Sequence, residues 1–110
     1  MDFVERQFFR VLRKEKVDVH DVVIVSGGAT GVDTLAQRIA KKYGLTITIH
    51  YPQWWRFGKA AGPMRNTKIV KDADVVLAIR WGASKGTDDL IRKAHTVGKK
   101  VYEIPYEPKE

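Results

Sequence analysis

The start of the chain places apolar side chains at helical spacing, and a short continuous apolar run follows. Four apolar residues of the first segment fall at i, i+4, i+7 and i+8: Val4, Phe8, Val11 and Leu12. This stripe predicts an amphipathic helix over residues 2–14. The apolar run at 22–25 leads directly into Ser26 and two glycines, which is typical of a buried parallel strand that ends in a tight turn.

The same two patterns predict three further helices and three further strands. The helices span 32–43, 63–71 and 88–97, and the strands span 45–51, 73–79 and 100–104. Pro63 is predicted as the first residue of its helix, and Thr87 as the N-cap of the last one. That last helix has an apolar stripe predicted to be buried: Leu90, Ile91, Ala94 and Val97. Residues 53–62 are predicted to form a loop.

Strands that alternate with helices predict an α/β fold with a parallel sheet and right-handed crossovers. We expect a doubly wound, Rossmann-like sheet of about four strands in the order 2-1-3-4, with helices on both faces. Ligands bind such sheets outside the carboxyl ends of the strands, where the strand order reverses. Both glycine-containing loops, which follow the first and third strands, are expected to lie at that point.

Composition narrows the class of protein. The 110 residues, 44% of them hydrophobic, predict a single domain. The chain has no cysteine, which excludes disulfides and thiolate ligands. We expect a cytoplasmic location, because no apolar run approaches the length of a signal or membrane segment. The net charge is +7, and the stretch from Arg38 to Lys71 contains eight basic residues and no acid, which favours an anionic partner.

Edge strands and one phenylalanine suggest self-association. The strand residues at 46–50 and 100–104 would form uncovered sheet edges, which invite pairing. Phe9 lies off the apolar stripe of the first helix, so we expect it to be exposed in a monomer. The sequence therefore predicts a homo-oligomer.

Two loops carry the candidate chemistry. The first is Ser26-Gly27-Gly28-Ala29-Thr30-Gly31-Val32-Asp33, and the second is Trp81-Gly82-Ala83-Ser84-Lys85-Gly86-Thr87. Each follows a strand and opens a helix, so its free N–H groups would point at an anion such as phosphate. A plain tight turn explains either loop equally well, and a place in the helix first turn explains Asp33.

A third segment, from Trp54 to Asn66, interleaves aromatic residues with arginine and lysine. This composition suits base stacking together with neutralisation of a phosphate backbone, although packing of Trp54 on the sheet edge is the favoured interpretation of that residue. A cation near a helix start is unfavourable, so Arg65 points to an anionic ligand. No catalytic set assembles, and the three histidines lack metal-ligand spacing.

Three motifs in this order resemble the SLOG superfamily, and in particular its YspA-like branch. They are Ser26-Gly-Gly-Ala-Thr-Gly-Val-Asp33, Lys59-Ala-Ala-Gly-Pro-Met-Arg-Asn66 and Lys85-Gly-Thr87. The resemblance implies a Rossmann-like fold that binds a nucleotide or nucleotide-derived ligand. It also implies that the family's first strand, with its Gly-Ser-Arg-like motif, is lacking here.

The resemblance extends to two better-understood relatives. The glycine motif and the pair Arg65-Asn66 are similar to DNA processing protein A, which implies single-stranded nucleic-acid binding as an alternative. Arg65 also matches an arginine of the Lonely guy phosphoribohydrolases, but Leu90 stands where those enzymes have their catalytic glutamate. Hydrolysis of an N-glycosidic bond is therefore the weakest alternative, and no catalytic residue is predicted.

The expected ligand is nucleotide-like, without a certain cofactor or metal. The residues predicted to bind it are Ser26, Gly27, Gly28, Ala29, Thr30, Gly31, Asp33, Lys59, Arg65, Asn66, Lys85, Gly86 and Thr87. Backbone amides of the first loop and Lys85 to Thr87 would hold phosphate, and Arg65 would neutralise charge. Asn66 would bind ribose or brace the loop.

Overall fold

A computed structural model describes residues 2–28, 32–80, 82 and 84–106. The chain divides into two compact units, Met1–Tyr51 and Pro52–Glu110. Within the described parts of the chain, no helix has both the length and the apolar character needed to cross a membrane.

The described residues of the Met1–Tyr51 unit form two helices and two strands. They are α1 (Phe3–Glu15), β1 (Val23–Ser26), α2 (Val32–Tyr43) and β2 (Thr46–Ile49), with a short 3-10 helix at Val19–Asp21. Strands β1 and β2 are parallel, with Val23 opposite Thr46 and Ser26 opposite Ile49. Helix α1 begins where the carboxylate of Asp2 accepts a 2.8 Å hydrogen bond from the Glu5 amide.

Buried apolar side chains of α1 and α2 form the interior of this unit: Val4, Val11, Ile39 and Ala40. Phe9 is half-buried, because its ring packs edge-on against Phe8 and against Tyr43 of α2, with centroids 5.2 and 5.0 Å apart. The prediction that Phe9 is exposed is therefore wrong. The buried face of α1 is wider than the apolar spacing predicted, because Tyr43 of α2 also covers Phe9.

In the Pro52–Glu110 unit, the part of the chain that the structure describes forms three helices and two strands. They are α3 (Trp54–Phe57), α4 (Ala61–Asp72), β3 (Val75–Arg80), α5 (Lys85–Thr96) and β4 (Lys100–Pro105), with a 3-10 turn at Gly58–Ala60. Strands β3 and β4 are parallel, with Val75 opposite Lys100 and Arg80 opposite Pro105. A buried cluster joins the helices to β3: Val70, Ala73, Val76 and Ala94, with Leu90 and Val101 packed against it.

The α/β class with parallel strands is confirmed, and so are the neighbour pairs β2-β1 and β3-β4 of the expected order. The strands of the described residues nevertheless form two two-stranded sheets, and the expected β1-β3 pairing does not appear. Strand β1 has only four residues, and Val23 at its start is 57% exposed. A strand at the centre of a four-stranded sheet would bury that side chain.

Helix boundaries differ from the prediction at three places. Residues 53–62 are largely helical, and Pro63 is the third residue of α4 and not its first. Helix α5 begins at Lys85, because the hydroxyl of Ser84, not that of Thr87, caps it. Val97 lies just beyond α5 and is 60% exposed, whereas Ile91 and Ala94 are buried as predicted.

Candidate ligand-binding site

A part-buried hydrogen bond joins the two elements that flank the first glycine loop. The Ser26 hydroxyl donates to Oδ1 of Asp33 at 2.9 Å, and Ser26 is only 3% exposed. The backbone of Ser26 is fixed as well, since its carbonyl accepts a 2.8 Å hydrogen bond from the amide of His50. The last residue of β1 and the first turn of α2 are therefore tied together on either side of the loop.

Gly28 shows why this loop needs a glycine. Its φ of +68° lies in the left-handed region, and a Cβ built on it would lie 2.5 Å from Cδ1 of Tyr51. The ring of Tyr51 thus occupies the space that a side chain at position 28 would need. The same ring is 61% exposed, so an aromatic face that sequence reasoning missed stands beside the loop. Ala29, Thr30 and Gly31 lie outside the described residues.

The second loop leads into α5 through a serine cap. The Ser84 hydroxyl accepts hydrogen bonds from the Thr87 amide at 3.2 Å and from the Thr87 hydroxyl at 3.1 Å. Lys85 and Gly86 occupy the first two positions of the helix, and both are exposed. Trp81 and Ala83 lie outside the described residues. Lys85 is thus the one cation of this loop, at a helix end where anions are favoured.

Asn66 is a brace between α4 and α5. It is 4% exposed, and its Nδ2 donates to the Gly86 carbonyl at 3.0 Å and to Oδ2 of Asp89 at 3.1 Å. Its Oδ1 accepts a 2.9 Å hydrogen bond from Nε of Arg65. Of the two roles predicted for Asn66, the structure supports bracing, because both donor bonds and the carbonyl are engaged within the chain.

Asp89 belongs to this cluster although the sequence predicts it only as a first-turn residue of the last helix and not as a ligand-binding residue. Its carboxylate contacts Arg92 at 2.6 Å and Lys93 at 2.9 Å, besides the bond from Asn66. Burial alone would raise the pKa of Asp89, but hydrogen bonds from Lys93 and Asn66 outweigh it and hold the pKa below its usual value. Asp89 is therefore a charged partner of its neighbours and not a proton donor at neutral pH.

Arg80 forms an ion pair with Asp88, the residue before Asp89. It contacts Asp88 at 2.6 Å and Glu103 of β4 at 2.9 Å. Hydrogen bonds to Asp88 and Glu103 raise the pKa of this arginine. Asp88 thus links the end of β3 to the start of α5, in addition to its place near a helix N-terminus.

The protein aligns over 95 residues with the Gene 61 protein of Mycobacterium phage D29, at 37% identity, covering 81% of this chain and 76% of the phage protein. The chain belongs to the family of this phage protein. No family model and no solved structure matches the chain. The name Gene 61 protein states no ligand, so the resemblance to SLOG proteins stays a prediction for this family member.

Of the two predicted site residues not yet placed, Gly27 is buried, and Lys59 is exposed in the 3-10 turn Gly58–Ala60. The side chains of Trp54 and Trp55 just before it are 56% and 81% exposed. The interpretation that Trp54 is packed is therefore wrong for most of its surface. Only one edge is covered, since a Cβ built at Gly62 would lie 3.3 Å from Cη2 of Trp54.

Leu90 has a structural role, because it packs against the cluster around Val76 and Ala94. Within residues 2–28, 32–80, 82 and 84–106, no three or more His, Asp or Glu side chains come together as metal ligands. Hydrogen bonds join five of the predicted residues in two groups. Ser26 and Asp33 are joined in the Met1–Tyr51 unit, and Arg65, Asn66 and Gly86 are joined in the Pro52–Glu110 unit.

Proposed function

We propose that the chain binds a nucleotide-derived ligand whose phosphate is held at the loop between β1 and α2. The hydrogen bond from Ser26 to Asp33 carries the proposal, because it fixes both ends of a strand-loop-helix connection. Free N–H groups at the start of a helix attract anions, and they do so best when the elements that flank the loop are already held together. The loop follows the carboxyl end of a parallel strand, where such folds bind ligands.

Tyr51 supports a nucleotide over a simple phosphate. Its exposed ring contacts Gly28, so it offers a face on which a base stacks while the phosphate lies at the loop. The start of α5, with the exposed Lys85, is a phosphate position that we propose independently for the Pro52–Glu110 unit.

Calorimetry with adenosine monophosphate, ribose 5-phosphate and inorganic phosphate tests this function. We expect Ser26→Ala to weaken binding of all three, because the loop loses its anchor. Asp33→Asn keeps an acceptor for Ser26 but removes a negative charge, so it should strengthen binding. Thr34→Ala, at an exposed position of the same helix, is the matched control.

Tyr51→Ala should weaken the binding of adenosine monophosphate but not that of ribose 5-phosphate or inorganic phosphate. Lys85→Gln should weaken the binding of phosphate at the start of α5 and leave the position at β1–α2 unchanged. Absence of heat with every ligand, or equal affinity of Asp33→Asn and the unchanged chain, would contradict the proposed phosphate position at β1–α2. Gly28 is not a suitable test position, because any side chain there strains the backbone and meets Tyr51.

A further inference from the structure

Two neighbouring tryptophans and two cations form an exposed surface at the start of the Pro52–Glu110 unit. We call Trp54, Trp55, Arg56 and Lys59 the tryptophan surface. All four side chains are exposed, and Trp55 is 81% exposed. Large aromatic side chains are mostly buried in folded proteins, so an adjacent exposed pair marks an interaction site.

The surface is held in place by local contacts. The amides of Arg56 and Phe57 both donate 3.0 Å hydrogen bonds to the Gln53 carbonyl, which closes the single turn of α3. The guanidinium carbon of Arg56 lies 4.9 Å from the centre of the Phe57 ring, an intramolecular cation–π contact. Trp54 rests with one edge on Gly62. The backbone of α3, the Arg56 guanidinium and one edge of Trp54 thus have contacts within the chain.

Charge selects the kind of partner. From Pro52 to Lys71 the sequence contains five basic residues and no acid. Four of these basic residues follow α3, and three of them are exposed: Lys59, Lys68 and Lys71. An apolar protein partner would gain nothing from this excess, whereas a polyanion with flat aromatic groups complements both features.

We propose that the tryptophan surface binds single-stranded nucleic acid, with bases stacked on Trp54 and Trp55 and phosphates next to Arg56 and Lys59. A single strand is required, because bases paired in a duplex do not offer their faces to a side chain. The inference does not depend on the nucleotide site at β1–α2, which contains none of these residues.

Fluorescence anisotropy with a labelled twelve-nucleotide oligothymidylate tests the inference on the full chain. We expect Trp55→Ala to weaken binding roughly tenfold, within the range of one lost base–aromatic stack, and Trp55→Phe to retain most of the affinity. Because Trp55 is so exposed, neither substitution should alter the far-ultraviolet circular dichroism.

The cations are tested by salt dependence. Replacing Arg56 and Lys59 by glutamine should reduce the slope of log affinity against log salt by about 0.7 for each lost phosphate contact. The control replaces Arg6 and Arg10, two exposed arginines of α1, by glutamine and so makes the same change in net charge. A blunt-ended duplex of equal length is the second control and should bind more weakly.

The inference would be overturned by no binding of the oligonucleotide, by equal affinity of Trp55→Ala and the unchanged chain, or by equal binding of duplex and single strand. Equal effects of the two charge-removing pairs would also refute it, since net charge alone would then explain the affinity. Loss of nucleotide binding in Ser26→Ala with retained oligonucleotide binding would show that the two sites are separate, as proposed.

Discussion

Tyr43 donates a 2.5 Å hydrogen bond from its hydroxyl to Oε1 of Glu5, a residue 38 positions earlier in the chain. The carboxylate is 3% exposed and also contacts Nζ of Lys42 at 2.9 Å. A buried carboxylate is tolerated only when it is paired and hydrogen-bonded, and α2 supplies both partners to α1. This contact holds α1 against α2 within the Met1–Tyr51 unit.

Removing either side of this contact should destabilise the unit. Tyr43→Phe keeps the ring against Phe9 but removes the hydroxyl, so the midpoint of urea unfolding should fall. Glu5→Ala should lower it as well, because the hydroxyl of Tyr43 then loses its acceptor. Lys41→Gln, at the neighbouring exposed lysine, is the matched control and should leave the midpoint almost unchanged. Equal midpoints for Tyr43→Phe and Lys41→Gln would contradict this role.

The same contact predicts how stability depends on acid. Hydrogen bonds from Tyr43 and Lys42 hold the pKa of Glu5 below its ordinary value of 4.5. A lowered folded-state pKa means that the ionised carboxylate stabilises the fold above about pH 4.5, and that this contribution disappears as the pH falls through the folded value. The pKa of Asp89 is also lowered, so Asp89 should likewise contribute stability that is lost on acidification.

Urea unfolding between pH 7 and pH 3 measures this contribution. Glu5→Gln cannot titrate, so its loss of stability on acidification should be smaller than that of the unchanged chain. An equal loss of stability between pH 7 and pH 3 in the two proteins would show that Glu5 does not contribute.

A comparison of Gly28 with Gly44 distinguishes the cost of backbone strain from the cost of steric overlap. Both have positive φ values, +68° and +66°, but a Cβ at Gly28 meets the ring of Tyr51, whereas nothing lies within 4 Å of one at Gly44. Each substitution by alanine carries the left-handed cost of about 1–2 kcal/mol. Gly28→Ala should therefore cost more than Gly44→Ala, by about 1 kcal/mol or more of overpacking.

Urea unfolding of the two alanine variants in the presence and absence of Tyr51→Ala checks this explanation. The difference between the two positions should largely disappear when the ring is removed. A difference that persists without the ring would assign the cost to another neighbour, such as Ile49.

Asn66 should be the most sensitive polar position of the Pro52–Glu110 unit. Asn66→Ala leaves the Gly86 carbonyl without this donor and removes one partner of Asp89, so the free energy of unfolding should fall by about 1–3 kcal/mol. Asn66→Asp places a second carboxylate beside Asp89 and should be worse at pH 7 than at pH 4. Thr67→Ala, next to it on the exposed side of α4, is the control and should change stability by no more than about 0.5 kcal/mol.

The candidate site could be predicted from sequence only where the chemistry is local. The strand and the helix that flank the glycine loop were predicted because the apolar run before Ser26 and the helical stripe after Gly31 are local patterns, and the structure joins Ser26 to Asp33. The role of Asn66 was left open between ribose binding and bracing. Its partner Asp89 lies 23 residues away, and the sequence gives no sign that α4 and α5 face each other there.

By itself, the sequence determined the alternation of helices and strands and the parallel neighbour pairs, because apolar spacing and glycine stops act over a few residues. Tertiary structure decided how many strands share a sheet, which aromatic residues stay exposed, and which charges are buried. Glu5 lies beside Val4 in a helical pattern that marks it as a polar position, yet it is buried because a second helix brings Tyr43 and Lys42 to it. Such pairing depends on which faces of distant elements meet, and no local pattern of residues contains that information.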